Sequence, residues 1–356
     1  MGQRAGNGTC LVALVQMAVP LCQRAERECP REGPGRPPDY PDWLMAVLIM
    51  VAVLKKRKSK SSQFRFLAQH EDELLAVLDA VRMPSRGTYF ARYRQASRLF
   101  RVAIGLQGAQ AVREGLADAR SVAVDKSLIA ARGPVWSKHA QREGRVPCGV
   151  DREATWTYST YHGWVYGYSY EVLVSAGKNG LVVPLLASAD GAHVREVTTF
   201  PAKLAQLPAS TKFVLADKGY DSNQIGERVE WTAEGRRTGC RYLCPQIYRR
   251  GEHRRPRRPR VERGSRRLHR QRRDARHAYL QTPCAKRLYT RRAQTVEPFN
   301  QWFKSLFGLS NRVWHRGLAN NRTQILASIF AYQLLLRYNK KSGHKNGEIQ
   351  WILDSL

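Results

Sequence analysis

Two short apolar runs in this sequence each end at an aspartate that is followed by a lysine. Residues 121–125 read Ser-Val-Ala-Val-Asp, and residues 212–217 read Lys-Phe-Val-Leu-Ala-Asp. Both have the length and side-chain content of buried strands. An aspartate at a strand end leaves the sheet at the edge where open α/β sheets bind ligands, although aspartate also favours ordinary turns. The pair predicts an α/β sheet with Asp125 and Asp217 at one edge.

The surrounding segments favour a mixed sheet covered by helices. Residues 172–175 and 181–186 are apolar and flank Gly-Lys-Asn-Gly, which predicts a β-hairpin. A helix is expected over residues 194–206, and residues 324–338 have the apolar pattern of a packing helix. Strands followed by interspersed helices are typical of an α/β domain, which we place at residues 117–340, followed by a tail at 341–356.

The chain before residue 117 is predicted to be helical and basic. Residues 1–38 are rich in Gly, Pro and Arg and are interpreted as a flexible leader. Residues 39–116 carry apolar stripes at helical spacing, five basic side chains within residues 55–60, and arginines interleaved with Tyr and Phe in residues 86–101. These features are typical of helices that hold DNA phosphates and enter the major groove. The alternative is a solvent-exposed basic face.

The charge of the chain also indicates a polyanionic partner. Lys and Arg number 60 against 29 Asp and Glu, so the net charge is +31. Such self-repulsion is relieved by DNA or RNA, with an anionic membrane as the alternative. Residues 249–276 hold 14 arginines and three acidic residues. Because this stretch has almost no apolar side chains, we predict a flexible Arg-rich insertion, within about residues 236–280, that orders on DNA; the alternative is a solvent-exposed loop.

Membrane insertion and disulfide bonding are not expected. The apolar stretch at residues 42–54 is shorter than the roughly 20 residues of a membrane span, so it is interpreted as a buried helix. The seven cysteines are scattered and odd in number, which favours free thiols in the cytoplasm. A zinc site at Cys240, Cys244 and Cys284 with a nearby histidine is the less favoured alternative.

A glutamate and a lysine lie near the start of a third candidate element. Pro298 is best accommodated in the first turn of a helix, so the helix is expected to open near Thr295 and to place Glu297 at its positive end. Lys304 follows Glu297 by seven residues and so lies on nearly the same face. Such a glutamate can reach a metal at the sheet edge, and the lysine can hold a phosphate. The alternative is an exposed pair on a surface helix.

These residues together resemble a known family. The pattern Tyr289-x2-Arg292…Glu297-x6-Lys304 resembles the Y-R-E-K signature of bacterial insertion-sequence DDE transposases. Asp125 and Asp217, within Val-Ala-Val-Asp-Lys-Ser and Leu-Ala-Asp-Lys-Gly-Tyr-Asp-Ser, are similar to that family's first and second aspartates. The resemblance covers about residues 35–340. Four residues separate the arginine from the glutamate where the family usually has three, which makes Arg291 a substitute for Arg292.

The resemblance implies an RNase H-like fold with three catalytic carboxylates, Asp125, Asp217 and Glu297. They would bind two Mg²⁺ or Mn²⁺ ions, which activate water and then a 3′-OH and stabilise the leaving oxygen. The implied substrate is double-stranded DNA, both the terminal inverted repeats and the target, with a homodimer pairing two ends in the nucleoid. The residues expected to contact DNA are Lys304, Arg292, Tyr289, Arg291, Lys218 and Lys126.

Two other functional classes remain open from the sequence. One is a domesticated or inactive metal-dependent nuclease, and the other is a basic DNA-binding protein without catalysis. Among further carboxylates, Asp221 is expected to cap the following helix, and Asp151 is given low weight as a site residue. His162 is a weaker candidate for approaching the metals. Half of the aromatic side chains in residues 156–170 are expected in the core, with base stacking by an exposed one as an alternative.

Overall fold

The computed structural model describes residues 7–31, 39–247, 264–344 and 347–356. Helices precede the first strand, as the sequence predicts. Most of them are amphipathic, whereas the helix at residues 42–54 is buried on nearly every side. The bounds are α1 Asn7–Glu28, α2 Asp42–Leu54, α3 Lys60–Gln69, α4 Glu71–Leu78, α5 Arg86–Tyr93 and α6 Ser97–Arg113.

A six-stranded mixed sheet follows these helices. Its strands are β1 Ser121–Ala130, β2 Thr155–Ser159, β3 Gly163–Ser175, β4 Pro184–Gly191, β5 Phe213–Leu215 and β6 Arg241–Leu243, with the short helix α7 Lys138–Arg142 after β1. β3 pairs antiparallel with β1 along one edge and with β2 and β4 along the other. β5 and β6 extend the sheet from β1 in parallel. The predicted α/β class is confirmed, and the strand order agrees with an RNase H-like fold.

The remaining helices cover the sheet. They are α8 Glu196–Thr199, α9 Asn223–Glu230, α10 Ser265–Gln281, α11 Pro283–Tyr289, α12 Arg291–Leu306, α13 Leu318–Lys341 and α14 Gln350–Asp354, with 3-10 turns at Phe200–Gln206 and Lys218–Tyr220. The long helix α13 contains the predicted packing helix. It is buried on nearly all sides because it packs against α6, β4 and α2 at once.

The prediction of a flexible leader is wrong for the described part of residues 1–38. Residues 7–28 form α1, whose Leu14, Ala18 and Cys22 are fully buried against α2 and α6. Pro20 lies inside the helix and is exposed. Residues 1–6 and 32–38 lie outside the described residues. The α2 segment is a buried helix, as predicted, and no helix in the described ranges is long and apolar enough to cross a membrane.

Some arginines of the N-terminal region hold the helices together. The carboxylate of Asp42, at the start of α2, forms ion pairs with Arg31, Arg92 and Arg98. Burial alone would raise the pKa of Asp42, but the hydrogen bonds and charges of Arg31 and Arg92 outweigh burial and hold that pKa well below its usual range. Arg92 and Arg98 are therefore engaged inside the protein.

The prediction of a flexible Arg-rich insertion is wrong for its second part. Residues 265–276 belong to α10, which docks on α9. Arg272 pairs with Glu227, and Arg273 pairs with Asp221. These acidic partners come from a segment some 50 residues earlier, so Arg272 and Arg273 are neutralised by contacts that the composition of the arginine tract does not reveal. Residues 248–263 lie outside the described residues.

Candidate active site

The pairing of β1 with β5 brings Asp125 and Asp217 together. The two strands run parallel with Ala123 opposite Leu215, and each aspartate lies two residues further along its own chain segment. β5 ends at Leu215, whereas β1 continues to Ala130 because it remains paired with β3. The prediction that Asp125 ends its strand is therefore wrong, although its position beside Asp217 is set by the strand register.

The two carboxylates differ in how they are held. Asp217 caps the following 3-10 turn, where its Oδ1 accepts a hydrogen bond from the backbone N–H of Gly219 at 2.8 Å. Its carbonyl oxygen accepts from Sγ of Cys244 at 2.9 Å. The Asp217 side chain is 41% exposed and that of Asp125 is 16% exposed. Asp125 therefore lies at the buried end of the site, and Asp217 lies at the end that is open to solvent.

Helix α12 closes the site over Asp125 with two polar side chains. Nη2 of Arg292 lies 2.5 Å from Oδ1 of Asp125 and 3.9 Å from Oδ2 of Asp217. Nδ2 of Asn300 donates to Oδ2 of Asp125 at 2.8 Å, and Oδ1 of Asn300 accepts from the Tyr170 hydroxyl at 2.7 Å. Both oxygens of Asp125 are thus bound, and a guanidinium lies beside both aspartates.

The electrostatics of the site favour an added cation. Burial is the main cause that raises the pKa of Asp125 to about 6, and the negative charge of Asp217 raises it further. Arg292 and Asn300 lower the same pKa without cancelling these effects. A buried carboxylate with a raised pKa is one whose negative charge is incompletely compensated. A cation with oxygen ligands placed between the aspartates would complete that compensation.

Glu297 does not join the two aspartates in this structure. α12 begins at Arg291 rather than near Thr295, so Pro298 lies inside the helix and Glu297 in its second turn. The Glu297 side chain is exposed. Within the described ranges, no three His, Cys, Asp or Glu side chains are grouped so that they could hold a metal ion. On an α-helix, Glu297 lies about 60° around the axis from Asn300 and one turn before it, at the border of the face that meets Asp125.

The predicted DNA-contacting residues occupy different environments. Nζ of Lys304 donates to the carbonyl of Leu128 at 2.8 Å, and burial lowers the pKa of Lys304. The Tyr289 hydroxyl donates to the carbonyl of Ala216 at 3.2 Å, directly before Asp217, and burial raises its pKa to about 12. Lys218 follows Asp217 and is exposed.

Lys126 and Arg291, which were also predicted to contact DNA, do not contact either aspartate. Lys126 points away from Asp125, because neighbouring residues of a strand face opposite sides of the sheet. Its Nζ donates to the carbonyl of Ala192 at 3.0 Å and lies 3.7 Å from a carboxylate oxygen of Glu196. The contact with Asp125 is made by Arg292, whereas Arg291 supplies its carbonyl to the hydroxyl of Thr295.

A comparison with family models covers the segment that builds this site. The model described as "Transposase DDE domain" matches residues 116–334, which is more than half of the chain. The chain belongs to this transposase family. The matched segment runs from just before β1 into α13 and contains the whole sheet and α12.

No curated protein matches the chain. One similar solved structure is the cryo-EM structure of a piggyBac transposase synaptic complex with hairpin DNA. It is 11% identical, the alignment covers 98% of this chain and 78% of that chain, and the TM-score is 0.43.

Two site residues of this transposase-family chain were not singled out from the sequence. They are Asn300, on α12, and Tyr170, on β3. Spacing carries a signal for Asn300, because it lies eight residues after Arg292 and therefore within about 80° of it on the same helix. No such signal exists for Tyr170, whose contact with Asn300 depends on how α12 packs against β3.

The remaining candidates have structural roles. Asp151 is buried, and its carboxylate accepts from the Tyr168 hydroxyl at 2.7 Å and from the backbone N–H of Gly317. Asp221 does not cap α9, as the sequence suggested, but pairs with Arg273 and accepts from the backbone N–H of Ile247. His162 is exposed at the turn between β2 and β3.

Proposed function

We propose that this chain is a DNA transposase that cleaves and joins DNA at the terminal inverted repeats of an insertion sequence. Asp125, Asp217 and Glu297 would be its catalytic, metal-binding carboxylates. The observation that carries the proposal is the position of Arg292, whose guanidinium lies beside both aspartates. The site already attracts a positive charge, and the aspartates are held in place by the strand register rather than by that arginine.

The residues present fit a hard divalent cation. Mg²⁺ and Mn²⁺ prefer carboxylate oxygens, and two aspartates with one side open to solvent provide them. Glu297 lies on the adjoining face of α12, and the proposal requires its side chain to turn toward the aspartates. When bound, two such ions would activate the attacking hydroxyl and stabilise the leaving oxygen of the phosphodiester.

The chain's own residues would position the reactants. Asn300, itself held by Tyr170, fixes the orientation of the Asp125 carboxylate. Arg292, once released from the aspartates, would be free to hold a DNA phosphate. Lys218 is exposed next to Asp217 and is suited to the same role. Lys304 and Tyr289 lie behind it, where they donate to the backbone carbonyls of Leu128 and Ala216. Lys126 is assigned to the opposite face of the sheet and is not part of this surface.

The proposed partners follow from the chemistry. The net charge of +31 suits double-stranded DNA, including both the element ends and the target. We infer a homodimer on DNA because two ends have to be brought together for joining. The expected location is the nucleoid of the cytoplasm, where such DNA would be found.

A second candidate function is favoured by the exposed position of Glu297. A chain whose third carboxylate does not reach the aspartates would be a defective or domesticated nuclease, which binds DNA and does not join it. A basic DNA-binding protein without catalysis is the extreme form of this alternative. All three functions give different results in one experiment.

The test is a cleavage and joining assay on DNA that carries the element ends, with Mg²⁺ or Mn²⁺. Asp125→Asn, Asp217→Asn and Glu297→Gln are compared with Glu234→Gln, which alters an exposed carboxylate away from the site. We expect cleavage and 3′-OH-dependent joining from the unaltered chain and from Glu234→Gln. In the three site variants the cleavage rate should fall by at least about 1,000-fold, whereas DNA binding should be retained.

The other outcomes assign the other functions. Cleavage without a joined product would identify a nuclease. Full activity of Glu297→Gln would remove the glutamate from the catalytic set. An unaltered chain that binds DNA but never cleaves it would leave only the binding function.

A further inference from the structure

The hairpin formed by β2 and β3 exposes several aromatic rings that take no part in the carboxylate site. Tyr161 at its turn is 88% exposed, and Tyr158 and Trp164 are 61% and 59% exposed. Tyr158 and Trp164 face each other across the ladder with ring centroids 5.5 Å apart. Aromatic rings grouped on a protein surface in this way mark a binding site.

The surface beside the hairpin is basic. Nζ of Lys138, at the start of α7, lies 3.6 Å from the ring centroid of Trp164. An open cavity of about 600 Å³ next to this contact is lined by both basic and aromatic side chains. The lining includes Trp136, Trp156, Lys138, Arg142 and Arg152.

The acidic residues between β1 and β2 are already bonded to other groups of the protein. Glu143 pairs with Arg145. Asp151 is buried, and Glu153 accepts a hydrogen bond from the backbone N–H of Leu318. The surface thus combines uncompensated positive charge with exposed ring faces. This combination suits a nucleic acid strand, whose phosphates bind lysine and arginine and whose unpaired bases stack on aromatic rings.

The hairpin also lies along the sheet from the candidate active site. Asp125 is opposite Val172 on β3, and Trp164 precedes Val172 by eight residues on the same strand. At about 3.4 Å per residue the separation along the strand is ~27 Å. Since stacked nucleotides rise about 3.4 Å each, this distance corresponds to about eight nucleotides. β1 ends at Ala130 opposite Gly167, so the hairpin projects beyond it.

We propose that the β2–β3 hairpin and α7 form a second DNA-binding site that takes unpaired bases. Tyr161 and Trp164 stack on the bases, and Lys138, Arg142 and Arg152 hold the phosphates of the same strand. Unpaired rather than duplex DNA is specified because a ring can stack only on a base face that is not already covered by its neighbours. The proposal depends on the proposed function only in taking DNA as the physiological ligand.

The test measures the full chain, without metal, on a 20-nucleotide single strand and on the duplex of the same sequence, by fluorescence anisotropy. The double variant Tyr161→Ala/Trp164→Ala should bind the single strand at least ~10-fold more weakly and the duplex within about twofold of the unaltered chain. Trp164→Phe, which keeps a ring, should retain most of the single-strand affinity. Trp302→Ala removes a ring of equal exposure from α12 and should leave both affinities unchanged.

The basic residues give a second measurement. Lys138→Gln/Arg142→Gln should weaken binding to the single strand and reduce the dependence of its affinity on salt. Thermal unfolding midpoints of all variants should match that of the unaltered chain, because the substituted side chains are exposed.

Two results would overturn the proposal. One is an equal loss of single-strand and duplex affinity in the ring variants, which would assign the rings to general DNA contact. The other is an unchanged single-strand affinity in the ring variants. Failure of the unaltered chain to bind the single strand would also overturn the proposal and would assign the surface to a protein partner. Neither result bears on cleavage at the carboxylates, and failure of the cleavage assay would leave this binding comparison unchanged.

Discussion

Nη2 of Arg292 lies 2.5 Å from Oδ1 of Asp125 and thereby joins α12 to the central strand of the sheet. The same nitrogen lies 3.9 Å from Oδ2 of Asp217. The arginine thus neutralises part of the negative charge at the point where a divalent cation would bind. Because like charges repel strongly at such short distances, a cation and this guanidinium compete for the two aspartates.

Removal of the competing guanidinium should strengthen metal binding. In Arg292→Gln we expect the free chain to bind Mn²⁺ about 10-fold more tightly than the unaltered chain, since loss of one close charge is worth on the order of 1 kcal/mol or more. Titration calorimetry at pH 8, without DNA, measures the change. Arg291→Gln is the matched control, because the described residues show Arg291 bonding through its carbonyl to the Thr295 hydroxyl and not through its guanidinium to the aspartates. Weaker Mn²⁺ binding in Arg292→Gln would show that the arginine supports the metal site.

The orientation of Asp125 should depend on Asn300 more than on Tyr170. Asn300 bonds the carboxylate directly, whereas Tyr170 acts through Asn300. Asn300→Ala is expected to lower the cleavage rate by about 10- to 100-fold and to raise the Mn²⁺ concentration needed for half-maximal rate. Tyr170→Phe should have a smaller effect in the same direction. A loss in Asn300→Ala that is the same at all Mn²⁺ concentrations would contradict a role in positioning a metal ligand.

The sequence predicts the aspartate pair because each aspartate can be recognised from the residues that directly precede it. Each aspartate follows an apolar run, and parallel pairing of the runs places them side by side. The end of β1 cannot be predicted from neighbouring residues, because it depends on pairing with β3. That pairing extends the strand five residues past Asp125. The start of α12 is also set by packing. Pro298 is exposed within the helix, so its position there is compatible with burial of Val296 and Phe299 on the other side.

The predictions for residues 1–38 and for the Arg-rich insertion were wrong for different reasons. Residues 1–38 were interpreted by their Gly, Pro and Arg content, although Leu14, Ala18, Leu21 and Cys22 recur at helical spacing and all are buried. That helical signal was present in the sequence. The docking of α10, in contrast, depends on Asp221 and Glu227, which only the tertiary fold brings to the arginines.

Helix α1 should contribute to the stability of the whole fold. Leu14 is fully buried against the core, so Leu14→Ala is expected to lower the free energy of unfolding by about 2–5 kcal/mol. Gln16→Ala alters an exposed position of the same helix and should change it by less than about 0.5 kcal/mol. Urea unfolding followed by circular dichroism compares the two variants. Equal stabilities would mean that α1 is not part of the cooperative unit.

A buried histidine should make stability fall in mildly acidic solution. His315 is 5% exposed, and its Nε2 lies 3.1 Å from the Tyr93 hydroxyl. Burial is the main cause that lowers the pKa of His315 to about 3, and the positive charges of Lys60 and Arg132 lower it further. In the unfolded chain the pKa of histidine is about 6.5. The unfolded state therefore binds the proton first as the pH falls.

The sign and size of the effect follow from these two pKa values. The stability associated with neutral His315 is complete above about pH 6.5 and is lost between about pH 6.5 and pH 3, at up to about 1.4 kcal/mol per pH unit. Between pH 7.5 and pH 5.0 the unaltered chain should lose about 2 kcal/mol more than His315→Gln, whose side chain does not titrate. The other titrating groups are shared by both proteins and cancel in this difference. Equal losses in urea unfolding at the two pH values would show that His315 can accept a proton within the folded chain.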